Sequence, residues 1–283
     1  MIIAEDDKIE KLALKEKLAA QFEMKDLGKL KYFLGIEVAY SKNGIFISQS
    51  EESAPVEKAQ YQRLVGKLIY LSHTRPDIAY AISILSQFMH DPRERHMQAV
   101  DKILPYLKSS PGKGLLFKRE DTLTMKIYTD ADYAGSITDR ISTFGYCMFL
   151  GDSLVTWRSK KQDKVSCSSA EAKFRALAQG MCEGLWMKII LDDLKVKVDN
   201  PVQLYCDNKS VMSIAHNPVQ HDRIKHIEID RHFIKDNLDR GFVITTHVPT
   251  ELQIADSFTK GLPQGRFQDL VSKLGMIDIH LPT

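Results

Sequence analysis

Thr124-Met125-Lys126-Ile127-Tyr128-Thr129-Asp130 is a short run of β-branched, aromatic and apolar residues that ends on an acid. Such runs read as strands. Similar runs stand at 143–150 and 153–158, followed by a helical pattern from Ser169 to about Leu194. Val202 to Cys206 reads as another strand, closed by Asp207 and passing straight into a further helix. A charged helix near 224–239 ends at Gly241, Phe242 to Val248 is strand-like, and Gln253 to Lys260 is a short last helix. Strands first, then strands alternating with helices, predict an α/β domain built on a mixed sheet with helices packed against it.

Upstream the pattern changes. Ile9, Leu12, Leu14, Leu18 and Phe22 spaced among charges predict a surface helix over 7–22. Lys31 to Tyr40 and Gly44 to Ser48 are joined through Ser41-Lys42-Asn43-Gly44, a hairpin signal. Three helical stretches follow near 59–72, 76–89 and 94–108, with Pro76 suited to a first turn. Pro105 is expected to kink or end the last of them. Ser109-Ser110-Pro111-Gly112-Lys113-Gly114 is the clearest linker-like break. The expected organisation is therefore 1–112, then a domain over 122–262, then a C-terminal tail at 263–283.

Length and composition agree with two folded domains. The 283 residues are 43% hydrophobic and 27% charged, which excludes a disordered or fibrous chain. A net charge of +2 does not by itself point to nucleic acid, but 56–120 holds 11 Lys and Arg against 6 Asp and Glu, so the middle is basic. No apolar run reaches the roughly 20 residues of a membrane span, and Met1-Ile2-Ile3-Ala4-Glu5-Asp6-Asp7 lacks the features of a signal peptide. Cys147, Cys167, Cys182 and Cys206 are widely spaced with no C-x-x-C pair. These features predict an intracellular chain, cytoplasmic or nuclear, that does not associate with membrane.

Acids at the ends of buried strands are costly without a compensating charge, and a metal ion is a frequent one. Asp130 and Asp207 each close a strand, Glu171 stands in the first turn of the long helix, and Asp256 opens the last helix. Two hard divalent ions held by four such carboxylates is the arrangement that hydrolyses phosphodiesters in line. Each acid also has a plainer reading. Ser168-x-x-Glu171 fits a capping box, Asp207-Asn208 and Asp256 suit helix caps, and Asp130 suits a turn, with Asp132 an equally good acid on the same strand face.

In order, the blocks Tyr128-Thr129-Asp130-Ala131-Asp132-Tyr133-Ala134-Gly135-Ser136, Trp157-Arg158-Ser159-Lys160-Lys161-Gln162, Ser168-Ser169-Ala170-Glu171-Ala172, Tyr205-Cys206-Asp207-Asn208-Lys209 and Gln253-Ile254-Ala255-Asp256 resemble the ribonuclease H domain of copia-type LTR retrotransposon polyproteins. Tyr32-Phe33-Leu34-Gly35-Ile36-Glu37-Val38 and Ser72-His73-Thr74-Arg75-Pro76-Asp77 resemble the end of the reverse transcriptase that precedes it. The resemblance implies a ribonuclease H-like mixed sheet flanked by helices, preceded by a truncated α+β reverse-transcriptase remnant. It implies metal-binding and catalytic roles for Asp130, Glu171, Asp207 and Asp256, with two Mg2+ ions (Mn2+ able to substitute) and an RNA–DNA hybrid as substrate. The order Asp, Glu, Asp, Asp favours ribonuclease H over integrases, which place the Glu last. Arg158, Lys160 and Lys161 are candidates for phosphate contacts, and Ser136 and Asn208 for 2′-hydroxyl contacts.

The chain also departs from that family. The polymerase's paired-aspartate turn is not in this sequence, and a family segment after Gln49-Ser50 is shortened. Lys173 stands where the family commonly has an acid, and Phe144 where a small residue is common. None of these falls on the four acids. Two functions are compatible with this pattern: ribonuclease H-type hydrolysis of the RNA strand of a hybrid, or an inactive remnant that at most binds nucleic acid.

Overall fold

The computed structural model describes residues 54–118, 123–136, 139–198, 201–216 and 228–280, and the backbone of 32–33, 36–41 and 44–48. It divides into two compact units, Met1–Ala54 and Pro55–Thr283. In the first, β1 (Tyr32–Phe33), β2 (Ile36–Ser41) and β3 (Gly44–Ser48) form an antiparallel sheet in that order. Ser41 pairs with Gly44, as the hairpin signal requires. The helix expected over 7–22 lies outside the described residues.

The second unit begins with helices. α1 (Lys58–Ser72), a 3-10 turn at Pro76–Ile78, α2 (Ala79–Ser86) and α3 (Glu94–Ser109) pack around Tyr61, Val65, Leu68, Ile78, Ile82, Leu85 and Val100. Tyr61 donates its hydroxyl to the Leu85 carbonyl at 2.8 Å, which satisfies its one polar atom in the core. Pro105 does not end α3, which runs on to Ser109. Its ring is on the solvent side, as is Asp101, whose carbonyl loses its helical partner and opens onto water. The expected linker instead carries a turn and β4 (Lys113–Leu115).

The main sheet contains β5 (Met125–Ala131), β6 (Thr143–Leu150), β7 (Ser153–Lys161), β8 (Val202–Cys206) and β9 (Val243–His247), in the order β7-β6-β5-β8-β9. β5, β6 and β7 pair antiparallel, whereas β5, β8 and β9 run parallel. This is a mixed sheet flanked by helices, as the sequence predicts. α4 (Ser169–Asp193) covers one face, with α5 (Lys209–His216) and α6 (Glu228–Asp239) beside it. Phe174, Leu177 and Met181 of α4 are buried against Ile127, Met148 and Leu204, and each contributes about 1.5–3 kcal/mol by leaving water.

The opposite face carries a 3-10 turn at Ile254–Phe258 rather than an α-helix, then α7 (Gln264–Lys273) and β10 (Met276–Asp278). Residues 263–283, read from the sequence as a tail, are thus structured through β10. Val271, Leu274 and Met276 are buried with Phe149, Leu154 and Phe258, and β10 pairs antiparallel with β4. Ala79 of α2 lies in that same cluster, so α2 touches the sheet's core although the helices of 58–109 keep a cluster of their own. Among the described residues no helix is long and apolar enough to cross a membrane, and all four cysteines are free thiols.

Candidate active site

Register places the acids. β5 and β8 run parallel, with Tyr128 opposite Tyr205. Two residues beyond that pair stand Asp130 and Asp207, so both arrive at the same end of the sheet. The third acid comes from the 3-10 turn. Gln253 donates to the Thr129 carbonyl at 3.1 Å and accepts from the Ala255 N–H at 3.2 Å, which locks the turn's start beside β5. Gly145, paired with Asp130 across β6, lets the turn approach: a Cβ there would collide with Phe258. Asp256 is thereby brought to the same strand end.

Two lysines tie these three carboxylates together. The Lys173 ammonium, from the first turns of α4, lies 2.8 Å from Asp130 Oδ1 and 2.5 Å from Asp207 Oδ1. Toward Oδ1 of Asp130 it makes an ion pair rather than an aligned hydrogen bond. The Lys260 ammonium lies 3.2 Å from Asp130 Oδ2 and 2.7 Å from Asp256 Oδ1. Thr259 donates its hydroxyl to Asp130 Oδ2 at 2.5 Å, and Arg266 stands 3.8 Å from Asp256 Oδ2. Three carboxylates therefore face three cations. The Asp130 side chain is 0% exposed and that of Lys173 12%, so this charge balance is struck largely out of water.

Electrostatics follow from burial and from those pairs. Burial opposes ionisation of Asp130, yet the Lys173 and Lys260 ammoniums hold its carboxyl below the usual range. Burial likewise opposes the charge on Lys173, and Asp130 and Asp207 more than offset it, raising its pKa. Burial, with the Asp130 and Asp207 charges against the pull of Lys260, pushes the Asp256 carboxyl up.

Glu171 is elsewhere. The Ser168 hydroxyl accepts from the Glu171 N–H at 3.1 Å, as expected for a helix cap. One Glu171 carboxylate oxygen accepts from the Cys167 N–H at 2.8 Å, and the other pairs with Arg175 at 2.6 Å. Neither lysine reaches it among the described residues. Asp132 accepts from the Thr143 N–H at 2.6 Å, a turn role.

The candidate substrate contacts are dispersed. Asn208 spends its side-chain oxygen on the Ser210 and Val211 N–H groups, capping α5. Ser136 stands 3.4 Å from Lys161, which pairs with Asp139 at 2.6 Å. Arg158 and Lys160 are exposed on β7, the edge strand, between two hollows. One hollow of about 310 Å3 lies against α1 and α2 and is lined by His73, Gln87, Trp157 and Lys161. The other, of about 270 Å3, lies against α4 and includes Lys164 and Arg175.

These residues do not fit the divalent ions that the fold family implies. A magnesium ion takes carboxylate oxygens at about 2.0–2.1 Å in octahedral geometry, and here the facing oxygens of Asp130, Asp207 and Asp256 already hold ammonium groups. Among the described residues no group of three or more His, Cys, Asp or Glu is arranged to hold a metal. Lys173, Lys260, Thr259 and Arg266 were not singled out by sequence as parts of the site. The readable signal for Lys173 is its spacing of seven and eleven residues from Gly180 and Gly184, which lie on the sheet side of α4.

No family model matches the chain. It is similar to the retrovirus-related Pol polyprotein from transposon RE1 of Arabidopsis thaliana, with 38% identity over 292 residues, 92% of this chain and 20% of that one. It is also similar to the retrovirus-related Pol polyprotein from transposon TNT 1-94 of Nicotiana tabacum, with 30% identity over 316 residues, 98% of this chain and 24% of that one. The chain thus spans about a fifth to a quarter of the length of these relatives. Among solved structures, the crystal structure of LC11-RNase H1 in complex with RNA/DNA hybrid aligns with a TM-score of 0.37 and 14% identity, over 48% of this chain and 94% of that one.

Proposed function

Because the chain belongs to the retrovirus-related Pol polyproteins of copia-type transposons, we propose that residues 122–262 act as a ribonuclease H-type domain that binds an RNA–DNA hybrid without hydrolysing it. In this reading residues 1–112 are the end of a reverse transcriptase, a division by ancestry that cuts across the compact unit 55–283. The observation that carries the proposal is the Lys173 ammonium lodged between Asp130 and Asp207. Hybrid binding needs positive charge and reach at the phosphates, and exposed Arg158 and Lys160 on the edge of the sheet supply both.

A second reading is two-metal hydrolysis of the RNA strand by Asp130, Glu171, Asp207 and Asp256, with Mg2+ or Mn2+. It is favoured by the convergence of three of those acids on one strand end. One experiment separates the two. The full chain is incubated with an end-labelled hybrid in magnesium and in manganese, and binding and cleavage are scored together. Binding that weakens with salt and is lost in Arg158→Ala/Lys160→Ala, with the RNA intact, supports the proposal. Cleavage of the RNA strand establishes hydrolysis instead, and absence of binding removes both.

A further inference from the structure

We infer that Lys173 is the internal counter-ion that closes this acid cluster to divalent metal, and that position 173, not 171, is its fourth corner. The inference deepens the reading of a domain that does not hydrolyse hybrid, and rests on it. Position along α4 carries the first step. A Cβ on Gly180 would run into Thr129 and Ile127, and one on Gly184 into Ile127, so this stripe of α4 lies against β5. Seven residues back is two turns on the same face, about 10.5 Å along the axis. That residue is Lys173. As α4 numbers fall, the facing β5 numbers rise, so position 173 arrives at the Asp130 end of the strand.

Asp130 itself shares a sheet face with Tyr128, opposite to Ile127 and Thr129. The Lys173 side chain therefore reaches round the strand end from the α4 side to meet it. Glu171, two residues earlier, is turned about 200° around the helix. Its carboxylate is spent on the Cys167 N–H and on Arg175. The helix thus presents an ammonium where a metal site would need an oxygen ligand.

Occupancy by the ammonium and occupancy by a metal exclude each other. Both would stand in the same place, against Asp130 Oδ1 and Asp207 Oδ1. The ammonium offsets the two carboxylates with one charge, through a hydrogen bond to Asp207 and an ion pair to Asp130; a divalent ion would do so by coordination. Removing the ammonium takes one positive charge from between two buried carboxylates and, of the two, leaves Lys260 on Asp130 alone, which is the condition that draws in a cation. Lys173→Glu adds a ligand as well, and Lys173→Gln removes the charge without supplying a carboxylate.

The test is Mn2+ binding to the full chain, read from the loss of free-ion paramagnetic signal, with thermal unfolding measured at each concentration. The parent is expected to bind no Mn2+ at the cluster and to keep a constant Tm. Lys173→Glu is expected to bind at least about tenfold more tightly than the parent, with a Tm that climbs with Mn2+, and Lys173→Gln to lie between. Should Lys173→Glu fail to fold, Lys173→Gln decides by the same criterion against the parent. Equal binding by parent and variants, or no gain in either variant, overturns the inference. Neither readout involves hybrid, so a parent that cleaves RNA sinks the functional reading by itself. A parent that cleaves nothing yet binds Mn2+ as tightly as its variants sinks only the role given to Lys173.

Discussion

Trp157 donates its indole N–H to the Ser72 carbonyl at 3.0 Å, and so joins the edge strand β7 to the last turn of α1. With Ala79 buried in the cluster of Phe149, Leu154 and Phe258, this contact makes the helices and the sheet one body. Trp157→Phe should lower stability by about 1–2 kcal/mol, since a partly buried carbonyl loses its donor. Urea unfolding followed by amide exchange should show α1 and β5 of the parent opening with the same midpoint. Two separate midpoints would mean that the helices fold as a domain of their own.

A buried ion pair holds the end of the helical region. Arg75 grips both oxygens of Asp77, at 3.0 and 2.8 Å, and also reaches the Ser110 carbonyl at 3.1 Å. Tyr106 donates its hydroxyl to Asp77 at 2.6 Å. With the Asp77 side chain 0% exposed and that of Arg75 8%, deleting the carboxylate strands a guanidinium out of water. Asp77→Ala should therefore cost about 3–5 kcal/mol, whereas Tyr106→Phe, which leaves the pair intact, should cost about 1–2 kcal/mol. Equal losses in urea midpoint for the two variants would show that the pair itself contributes little.

How far the sequence could be read depended on the range of the interaction involved. The strand ends at Asp130 and Asp207 were legible, because apolar runs closing on an acid carry their own pattern. The Ser168 cap of α4 was legible for the same reason. Lys173 was visible as a departure, but not its partners: they sit on β5 and β8, and which face of α4 meets β5 is set by glycines seven and eleven residues on. Glu171 had a local explanation, the cap, and the structure gives it that together with Arg175. β4 and β10 are three residues each and exist only because they pair with one another over a long separation. α7 was readable: Phe267, Leu270, Val271 and Leu274 follow a helical stripe that a tail would not need.

The glycines of α4 and α1 should respond oppositely to one methyl group. At Gly180 the added Cβ meets Thr129 and Ile127, so α4 must shift from β5, and Gly180→Ala should cost about 1–3 kcal/mol. At Gly66, inside α1, nothing lies within 4 Å of the new atom. Gly66→Ala should stabilise by about 0.4–1 kcal/mol, because alanine loses less backbone freedom on folding. Chemical denaturation of both variants checks the pair, and a stabilised Gly180→Ala would show that α4 does not press on β5 as described.

His96 should make stability depend on pH below neutrality. Its ring is 8% exposed, stacks on Phe88 at 3.8 Å, and accepts the Arg93 N–H on Nδ1 at 3.0 Å. Burial, with Arg95 adding to it, holds its pKa below the ordinary value. The unfolded chain therefore takes up its proton first, at about pH 6.5, while the folded chain still refuses it. Between those two pKa values the unfolded state binds more protons, so stability falls as pH drops through about 6.5 and levels off below the folded value. His96→Gln keeps an acceptor for the Arg93 N–H and does not titrate. The difference between parent and variant in urea midpoint should be constant above about pH 7.5 and should shrink or reverse toward pH 5. Parallel pH profiles for the two proteins would show that His96 carries its proton equally well in both states.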